Sequence, residues 1–448
     1  MRRTFNLKMN VSERNTGGGR CASLPYSPAR ILMWIFVSIA LIPLLAMPAQ
    51  AADWKGEEVQ KDGVLHVLNP NKAVEPAKTV ELKELWRVGG DTDDEDEFFG
   101  VIGTILTDKK GNVYLLDSQL SQVKIFSQSG EFIRNIGREG EGPGEFRSPT
   151  GMFFTEAGLL GVMQIAPGKI VLLTSEGEPA GEYPLPASED GGFLLLLGGN
   201  SGAGNVVMAM GKNAFSEQKF ETTRYLASID AKGIETARYH EETRGIDFAN
   251  ALLDEMTWDT FDRRWTVGWD GRVYAVTKYQ GYNIHVWNRD GKLNRIIEVD
   301  HKPRKRTQEE TDLVESIYGL FTRQIPNGKL QMCEFSKDIE TMFSREDGSL
   351  WVLSSEGSHD NPEGSIGVFD VFDGDGHFVR KVTLMGEGNP MTDGYYFVGD
   401  RLYVVTDLLQ AAISLQAGGE SFQIGDKEPE PMSVICYELD KDLRITKH

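Results

Sequence analysis

Short apolar runs separated by polar turns that contain glycine recur along the chain. The clearest unit has a tight turn at Asp108–Gly111, apolar runs at Val113–Asp117 and Gln122–Phe126, a second turn at Gln128–Gly130 and a third run from Phe132. Runs of this length, rich in Val, Leu, Ile, Phe and Tyr and bounded by such turns, are typical of antiparallel strands. The unit therefore predicts one small antiparallel sheet.

This unit is repeated. Gly158 and Gly177 stand 47 residues after Gly111 and Gly130, respectively. Four further copies are recognised by their turn glycines, at Gly204 with Gly233, Gly271 with Gly291, Gly348 with Gly376, and Gly399. Self-similarity with a period of tens of residues is typical of folds built from stacked units. The sequence therefore contains six copies.

Copies are preceded by an additional apolar segment, for example at residues 101–106, 264–268 and 341–344. We interpret this segment as an inner strand, so that each copy predicts one small sheet. One such sheet cannot bury both of its faces, whereas six stacked radially bury them against each other. We therefore predict an all-β fold, a six-bladed β-propeller. About 66 residues per blade are available after residue 51, against roughly 40 to 50 in typical propeller repeats, so the blades carry insertions.

The first copy resembles an NHL repeat. The likeness lies in Gly111–Asp117, Val123–Phe126, Gly130–Phe132 and the glycine-rich stretch between Ile136 and Gly151, although Gln122 stands where NHL repeats commonly carry Arg or His. More narrowly, the chain is similar to exported bacterial six-bladed β-propeller proteins related to NHL proteins. The resemblance implies the fold for essentially the whole chain after residue 51. That family has no single assigned activity, so the resemblance implies no function.

The connections between strands predict which face is functional. In a propeller, the turns from first to second and from third to fourth strands share one face, and here these turns are tight. The long insertions all belong to the opposite face, at residues 137–149, 211–223, 239–263, 300–338, 354–365 and 407–432. Long loops on one face of a rigid scaffold usually carry binding or catalysis. We expect function on this long-loop face, with tolerated insertions as the alternative.

The longest insertion, at about 300–338, is expected between blades four and five. It contains Thr307-Gln-Glu-Glu310, a capping-box pattern that predicts a helix continuing through Tyr318. The basic residues around its start are expected to pair with Glu309, Glu310 and other acids, the alternative being an anionic ligand; they are Lys302, Arg304, Lys305 and Arg306. We therefore expect a helical cap over the long-loop face.

Closure of the ring predicts the role of the N-terminal segment. A ring without open sheet edges needs one blade that combines both ends of the chain. The segment 62–90 has no repeat of its own, and the last copy ends near Leu439. We expect a strand from residues 62–90 to complete the C-terminal blade, so that residues 52–448 form one propeller domain.

Residues 1–51 have the three parts of a secretory signal peptide. A basic segment is followed by a largely apolar run from Ile31 to Met47 and by the small-x-small site Ala49-Gln50-Ala51. An uncleaved membrane anchor is the alternative, because this run of 17 residues approaches the span of a bilayer. Arg2-Arg3 resembles a twin-arginine motif, which leaves the export route open. The expected location is the periplasm or the cell exterior, with membrane association only if the leader is retained.

Composition and charge exclude several classes of protein. The apolar fraction of 40% and charged fraction of 25% are ordinary for a globular protein. After the leader, 41 Lys and Arg and 66 Asp and Glu residues remain, a net charge of −25. A body this acidic repels phosphate backbones, so nucleic acid is not expected as a partner. Cys333 and Cys436 could pair in an oxidising compartment or remain two free thiols.

Charged residues cluster where the inner strands begin on the long-loop side. The candidate ligand-binding residues are Arg147, Asp262, Arg263, Arg264, Glu340 and Asp393. Propellers similar to lactonases hold Ca²⁺ at such a mouth with carboxylates, but that ligand pattern does not match residue by residue, and a wet channel entrance of mixed charge is the favoured explanation of these residues. We therefore expect an exported propeller that binds a small molecule, peptide or protein. A Ca²⁺-dependent, lactonase-like hydrolase is the alternative.

We expect the exported protein to begin at Ala52, because cleavage follows the small-x-small site. Intact-mass spectrometry of the protein purified from its native compartment tests this. A mass that includes residues 31–47 would show a membrane-anchored propeller instead.

Overall fold

The computed structural model describes residues 54–186, 193–258, 261, 264–322, 325, 327–416 and 430–445. The expected leader, residues 1–51, lies outside them. Four strands come first: β1 (Glu57–Lys61), β2 (Val64–Asn69), β3 (Lys78–Glu81) and β4 (Lys83–Gly89).

The first three repeats each form a four-stranded antiparallel sheet. Sheet one contains β5 (Ile102–Thr107), β6 (Val113–Asp117), β7 (Gln122–Phe126) and β8 (Phe132–Ile136). Sheet two contains β9 (Pro149–Phe154), β10 (Leu160–Gln164), β11 (Lys169–Leu173) and β12 (Pro179–Glu182). Sheet three contains β13 (Leu195–Gly202), β14 (Asn205–Phe215), β15 (Lys219–Ile229) and β16 (Glu235–Asp247). The short strand β17 (Leu252–Asp254) and helix α1 (Glu255–Trp258) follow.

Three more sheets follow along the chain. Sheet four contains β18 (Trp265–Val267), β19 (Val273–Ala275), β20 (Asn283–Trp287) and β21 (Leu293–Val299). Helix α2 (Gln308–Thr322) and strand β22 (Lys329–Gln331), which pairs with β17, come next. Sheet five contains β23 (Ile339–Ser344), β24 (Leu350–Ser354), β25 (Ser365–Phe372) and β26 (Phe378–Met385), with helix α3 (Ser355–His359) after β24. Sheet six contains β27 (Gly394–Val398), β28 (Arg401–Val405) and β29 (Ser433–Glu438), with helix α4 (Leu408–Gln416) after β28.

The sheets stack face to face around a ring, and the side chains between them form the core. Val113 and Leu115 of sheet one pack in one buried cluster with Tyr403 and Val405 of sheet six, so the first and last sheets are neighbours. The predicted six-bladed β-propeller is confirmed. It is mostly β rather than all-β, because the described residues also contain four α-helices in the insertions.

The turns repeat one local device. In the turn from β5 to β6, one carboxylate oxygen of Asp108 accepts from the backbone N–H groups of Lys110 and Asn112, at 2.8 and 2.9 Å. Gly111 has φ +84°, in the region that favours glycine. This explains why an Asp followed three residues later by Gly marks the repeat so clearly in the sequence.

Two segments expected as long loops are largely strand. Residues 211–223 fall mostly within β14 and β15, joined by residues 216–218, and residues 239–247 belong to β16. The additional residues lengthen the hairpin: Thr222 and Thr223, for example, pair with Arg244 and Thr243. The expected long loops are therefore mostly extensions of strands.

The N-terminal segment, residues 54–89, runs along the outside of three successive sheets, and we call it the N-terminal strap. β2 pairs parallel with β21 of sheet four, and β3 pairs parallel with β26 of sheet five. β4 pairs antiparallel with β29 and is the outermost strand of sheet six. The strap thus supplies sheet six with its fourth strand and adds outer strands to two other sheets.

Asn69 connects the strap to two sheets. Its side chain is 2% exposed. The amide nitrogen donates to the carbonyl oxygens of Glu298 in sheet four and Gly376 at the edge of sheet five, at 3.1 and 2.9 Å. The amide oxygen accepts from the indole of Trp54 and from the backbone N–H of Phe378, at 2.9 and 2.8 Å. One side chain therefore satisfies backbone groups of both sheets.

Cys333 and Cys436 are both free thiols, and burial raises the pKa of the Cys436 thiol. Among the helices in the described part of the chain, none has the length and apolar character needed to cross a membrane.

We predict that Asn69→Ala lowers the free energy of unfolding by about 2–3 kcal/mol, because buried backbone groups on two sheets lose their partners. Urea denaturation followed by tryptophan fluorescence measures the change. Asn71→Ala, at an exposed position of the same segment, is the matched control and should shift stability by less than about 0.5 kcal/mol. Equal effects of the two variants would mean that Asn69 does not fasten the strap.

Candidate functional site

A cavity of about 1720 Å³ runs along the axis of the ring. Its walls are the first strands of all six sheets, β5, β9, β13, β18, β23 and β27. The lining extends along these strands, from Gly103 in β5 to Asp108 just after its end. The cavity is therefore the central channel of the propeller.

Helices α2 and α4 cover the end of the channel where the inner strands begin. The backbone N–H of Leu409 donates to the carbonyl of Thr392, two residues before β27, at 2.8 Å. The helices line the channel with one face each, through Leu313, Val314, Ile317 and Tyr318 of α2 and Leu408, Leu409, Ala412 and Leu415 of α4. Spacings of one, three and four residues place these side chains together on a helix. We call this apolar cover the roof.

The capping box forms as expected. The Thr307 hydroxyl accepts from the backbone N–H of Glu310 at 3.2 Å, and the Glu310 carboxylate accepts from the backbone N–H of Thr307 at 2.9 Å. The reciprocal bonds satisfy donors that the first turn of a helix leaves without partners. The helix predicted from Thr307-Gln-Glu-Glu310 is confirmed.

The basic residues before α2 pair with acids. Arg304 donates two hydrogen bonds to Glu310, at 2.8 and 2.9 Å, and two to Asp360, at 2.8 and 2.9 Å. Lys305 forms an ion pair with Glu334. For these residues, the expectation of pairing with acids is confirmed.

A buried ion pair anchors the start of the insertion. The side chains of Arg306 and Glu255 are 7% and 2% exposed, with nitrogen and oxygen 2.5 Å apart. Glu255 also accepts from the Tyr279 hydroxyl at 2.8 Å and from the backbone N–H of Cys333 at 2.9 Å. Burial by itself lowers the pKa of Arg306, but the hydrogen bond and charge of Glu255 outweigh it and the pKa is raised. Such a pair is strongly destabilising when one partner is removed.

A line of charges leads from this insertion to the channel wall. His359 Nδ1 lies 2.7 Å from Glu310 Oε1, and His359 Nε2 lies 3.7 Å from Glu340 Oε1. Lys337 Nζ is 3.2 Å from Glu340 Oε2. His359, Glu310, Glu340 and Lys337 all line the channel. The capped end of the channel therefore presents a fixed group of alternating basic and acidic side chains, which we call the charged cluster.

Both carboxylates of the charged cluster are ionised well below neutral pH. Burial alone would raise the pKa of Glu340, but Lys337 and His359 outweigh it and lower the pKa to about 2. Burial likewise opposes ionisation of Glu310, yet the hydrogen bonds from Arg304 and the Thr307 backbone lower its pKa to about 2.

The structure brings only some of the sequence-derived candidates together. Glu340 and Asp393 line the channel. Arg147 lies outside the channel lining and pairs with exposed Glu141 at 2.8 Å. Arg264 is 1% exposed, and its guanidinium donates to the carbonyl of Lys278 at 2.9 Å. The remaining two candidates, Asp262 and Arg263, lie outside the described residues.

Asp393 has a local structural task. Its two oxygens accept from the backbone N–H groups of Asn389 and Asp407 at 2.8 and 2.9 Å, and the Thr392 hydroxyl donates to it at 3.0 Å. Burial raises its pKa despite these bonds. The carboxylate thus fixes the loops on both sides of β27.

The sequence did not identify His359, Lys337 or Glu255 as site residues. His359 ends α3, Lys337 precedes β23, and Glu255 begins α1, so they meet only through the folding of separate insertions. Glu310 was not identified as a site residue either, but its position in the capping box is a signal that the sequence does show.

Other carboxylates near the mouth serve the backbone. Glu97 accepts from the N–H of Gly89 at 3.1 Å. Asp338 accepts from the N–H of Gly281 at 2.5 Å and pairs with His301 at 2.8 Å. Among the described residues, no three His, Cys, Asp or Glu side chains are grouped so that they could hold a metal ion.

Comparison with known proteins gives a family match and distant structural similarities. Residues 91–312 match the family model DUF5128, described as a 6-bladed beta-propeller. A search of curated proteins finds no match. The chain is 14% identical to a Bacteroides fragilis protein whose name describes it as exported, with TM-score 0.45, covering 82% of this chain and 100% of that one.

Two further solved structures show similar levels of likeness. A member of the duf4221 family from Bacteroides vulgatus is 12% identical, with TM-score 0.45, covering 80% of this chain and 97% of that one. Virginiamycin B lyase from Staphylococcus aureus is 10% identical, with TM-score 0.39, covering 80% and 100%.

We predict that Glu310→Gln lowers stability at pH 7 by about 2 kcal/mol, a figure reduced from the full pKa shift for solvent screening. Because the pKa of Glu310 is lowered from 4.5 to about 2, its contribution is complete above pH 4.5 and is lost as the pH falls toward 2. The gap between wild type and variant should therefore close over that range. Urea midpoints measured from pH 7 to pH 2 test this, with exposed Glu309→Gln as the control. A gap that stays constant with pH would contradict the assignment.

Proposed function

We propose that this chain, whose residues 91–312 match the DUF5128 family of six-bladed β-propellers, is an exported binding protein that takes a small molecule or peptide into the capped end of its central channel. The proposal includes cleavage of residues 1–51 as a signal peptide and location in the periplasm or outside the cell.

The observation that carries the proposal is the combination of a large channel, an apolar roof and a charged cluster at one end. The channel volume of about 1720 Å³ exceeds the roughly 300 to 1000 Å³ of typical ligand pockets. Ligand sites typically combine apolar walls with a few fixed polar groups. Glu340 and Lys337 on the wall, under Leu313 and Ile317 of the roof, provide that combination.

The position of α2 supports the same face. α2 follows β21 of sheet four and precedes β23 of sheet five along the chain, which favours an insertion between blades four and five. The Arg306–Glu255 pair holds the start of this insertion in place. A fixed roof gives a ligand a preformed site and lowers the entropy cost of binding.

A Ca²⁺-dependent hydrolase of the lactonase kind remains the alternative function. The observation in its favour is that two carboxylates, Glu340 and Asp393, lie on the channel wall. Lactones and phosphoesters assayed with and without Ca²⁺ distinguish it from a binding protein.

We predict that Glu340→Ala weakens ligand binding at least about tenfold relative to wild type, because the variant loses the ionised carboxylate of the site. The ligands are those found by thermal-shift screening of metabolites and short peptides. Isothermal titration calorimetry gives the dissociation constants. Glu176→Ala, in a tight turn on the opposite face, is the control and should bind normally. If ligand binding survived Glu340→Ala and were lost in Glu176→Ala, the functional face would be the other one.

A further inference from the structure

We infer that the ligand is a neutral oligosaccharide, whose hydroxyl groups bind the charged cluster and the polar wall of the channel. This inference rests on the proposed function and adds the chemical class of the ligand. The charges of the site stay paired with one another when such a ligand binds.

The pairing of these charges disfavours a charged ligand. Lys337 Nζ is 3.2 Å from Glu340 Oε2, and Glu340 Oε1 faces His359. Arg306 is held by Glu255 in the buried pair. An anion would compete with Glu340 for Lys337, and a cation would compete with Lys337 and His359 for Glu340. The charged cluster therefore favours a ligand without net charge.

The Lys337–Glu340 pair can bind hydroxyl groups while it stays intact. An ammonium has three donor hydrogens, and an ionised carboxylate accepts several hydrogen bonds on its two oxygens. Glu340 Oε1 lies 3.7 Å from His359 Nε2, which is longer than a hydrogen bond. A ligand hydroxyl can donate to this oxygen while the hydroxyl on the adjacent carbon accepts from Lys337. The pair thus presents an acceptor beside a donor, the arrangement that two neighbouring sugar hydroxyls require.

These hydrogen bonds are accessible and strong. The side chains of Lys337 and Glu340 are 27% and 21% exposed, and both line the channel. Hydrogen bonds to ionised groups are stronger than those between neutral groups. An uncharged ligand therefore gains binding energy from the ionised Glu340 without replacing any of its partners.

The channel wall continues this polar surface without adding charge. Hydroxyl and amide side chains from five of the six inner strands line it, at Thr104, Thr150, Asn200, Thr266 and Thr341. The Thr150 hydroxyl donates to the carbonyl of Leu196 at 2.8 Å, and its oxygen can still accept a hydrogen bond. A hydrocarbon would displace water from these groups and leave them without partners, which is unfavourable. A ligand rich in hydroxyl groups replaces the water and keeps the hydrogen bonds.

The roof fits the remaining part of a sugar. A pyranose ring carries hydroxyl groups around its rim and C–H groups on its faces. Leu313 and Ile317 of α2 and Leu408 and Ala412 of α4 line the channel above the charged cluster. A ring face that covers these side chains removes apolar surface from water. The channel volume of about 1720 Å³ leaves room for several sugar units.

The test is calorimetric titration of the full exported chain with neutral trisaccharides of glucose, galactose, mannose, xylose and N-acetylglucosamine. We expect at least one to bind saturably at one site per chain. Analogues of that sugar in which amino or carboxylate groups replace hydroxyls should bind at least about tenfold more weakly. The affinity of the neutral sugar should change less than about twofold between about 50 and 500 mM NaCl, because no charge pair is formed or broken. Failure of every neutral trisaccharide, or tighter binding of a charged analogue, would overturn the inference.

Two substitutions at Glu340 separate hydrogen bonding from charge. Glu340→Ala should weaken sugar binding about tenfold or more, whereas Glu340→Gln should weaken it less, because its amide oxygen still accepts from a hydroxyl. Equal losses in the two variants would show that the ligand requires the negative charge itself, which contradicts a neutral sugar.

A substitution on the wall tests the second part of the site. Thr104→Val keeps the shape of the side chain but removes its hydroxyl, so it should weaken sugar binding about threefold or more. Thr79→Val, at an exposed position of β3 on the outside of the propeller, is the matched control and should bind normally. Circular dichroism confirms that each variant is folded.

The outcomes distinguish this inference from the proposed function. If no neutral trisaccharide binds while a peptide or another metabolite binds in a Glu340-dependent manner, the oligosaccharide is wrong and the binding function stands. If a sugar binds but neither Glu340→Ala nor Thr104→Val weakens it, the sugar site is elsewhere and the inference is wrong. If no ligand of any kind depends on Glu340, both proposals are wrong.

Discussion

The architecture depends on pairing the open edge of its last sheet. Sheet six has three strands from the C-terminal repeat, and β4 from the N-terminal strap pairs with β29 to supply the fourth. Val88 of β4 is buried in the cluster that packs sheet six against sheet one, so the added strand also contributes to the contact that closes the ring. The channel exists only because the ring is closed, so the site depends on residues at the far end of the sequence from it.

The cap over the channel is held by ionic contacts as well as by apolar packing. Arg306 and Glu255 form a buried pair, and Arg304 and His359 both bind Glu310 at the first turn of α2. Tyr318 of α2 packs against a buried apolar cluster that includes Leu253, while Leu313 and Ile317 line the channel. Only the part of the roof that lines the channel is therefore available to a ligand.

The features that the sequence predicted well are local ones. A turn in which Asp108 bonds the backbone before a left-handed Gly111 is decided within a few residues, and the same holds for the capping box of Thr307 and Glu310. The polar extension of β14 and β15 was not predicted, because it is stabilised by pairing with residues outside the segment itself. Of the charged cluster, Glu340 was among the candidate residues, but its contacts with Lys337 and His359 were not predicted, since the cluster joins side chains from separate insertions.

The strap also determines when the ring can form. Leu65 pairs with Arg295 and Val88 with Val434, so the strands of the strap pair with residues more than two hundred positions later in the chain. Contacts this distant in sequence form slowly, because the loop between them must be closed first. In a chain that emerges from its N-terminus, the strap appears first and finds its last partner only when β29 follows. Its strand edges therefore stay open to other chains until synthesis is nearly complete.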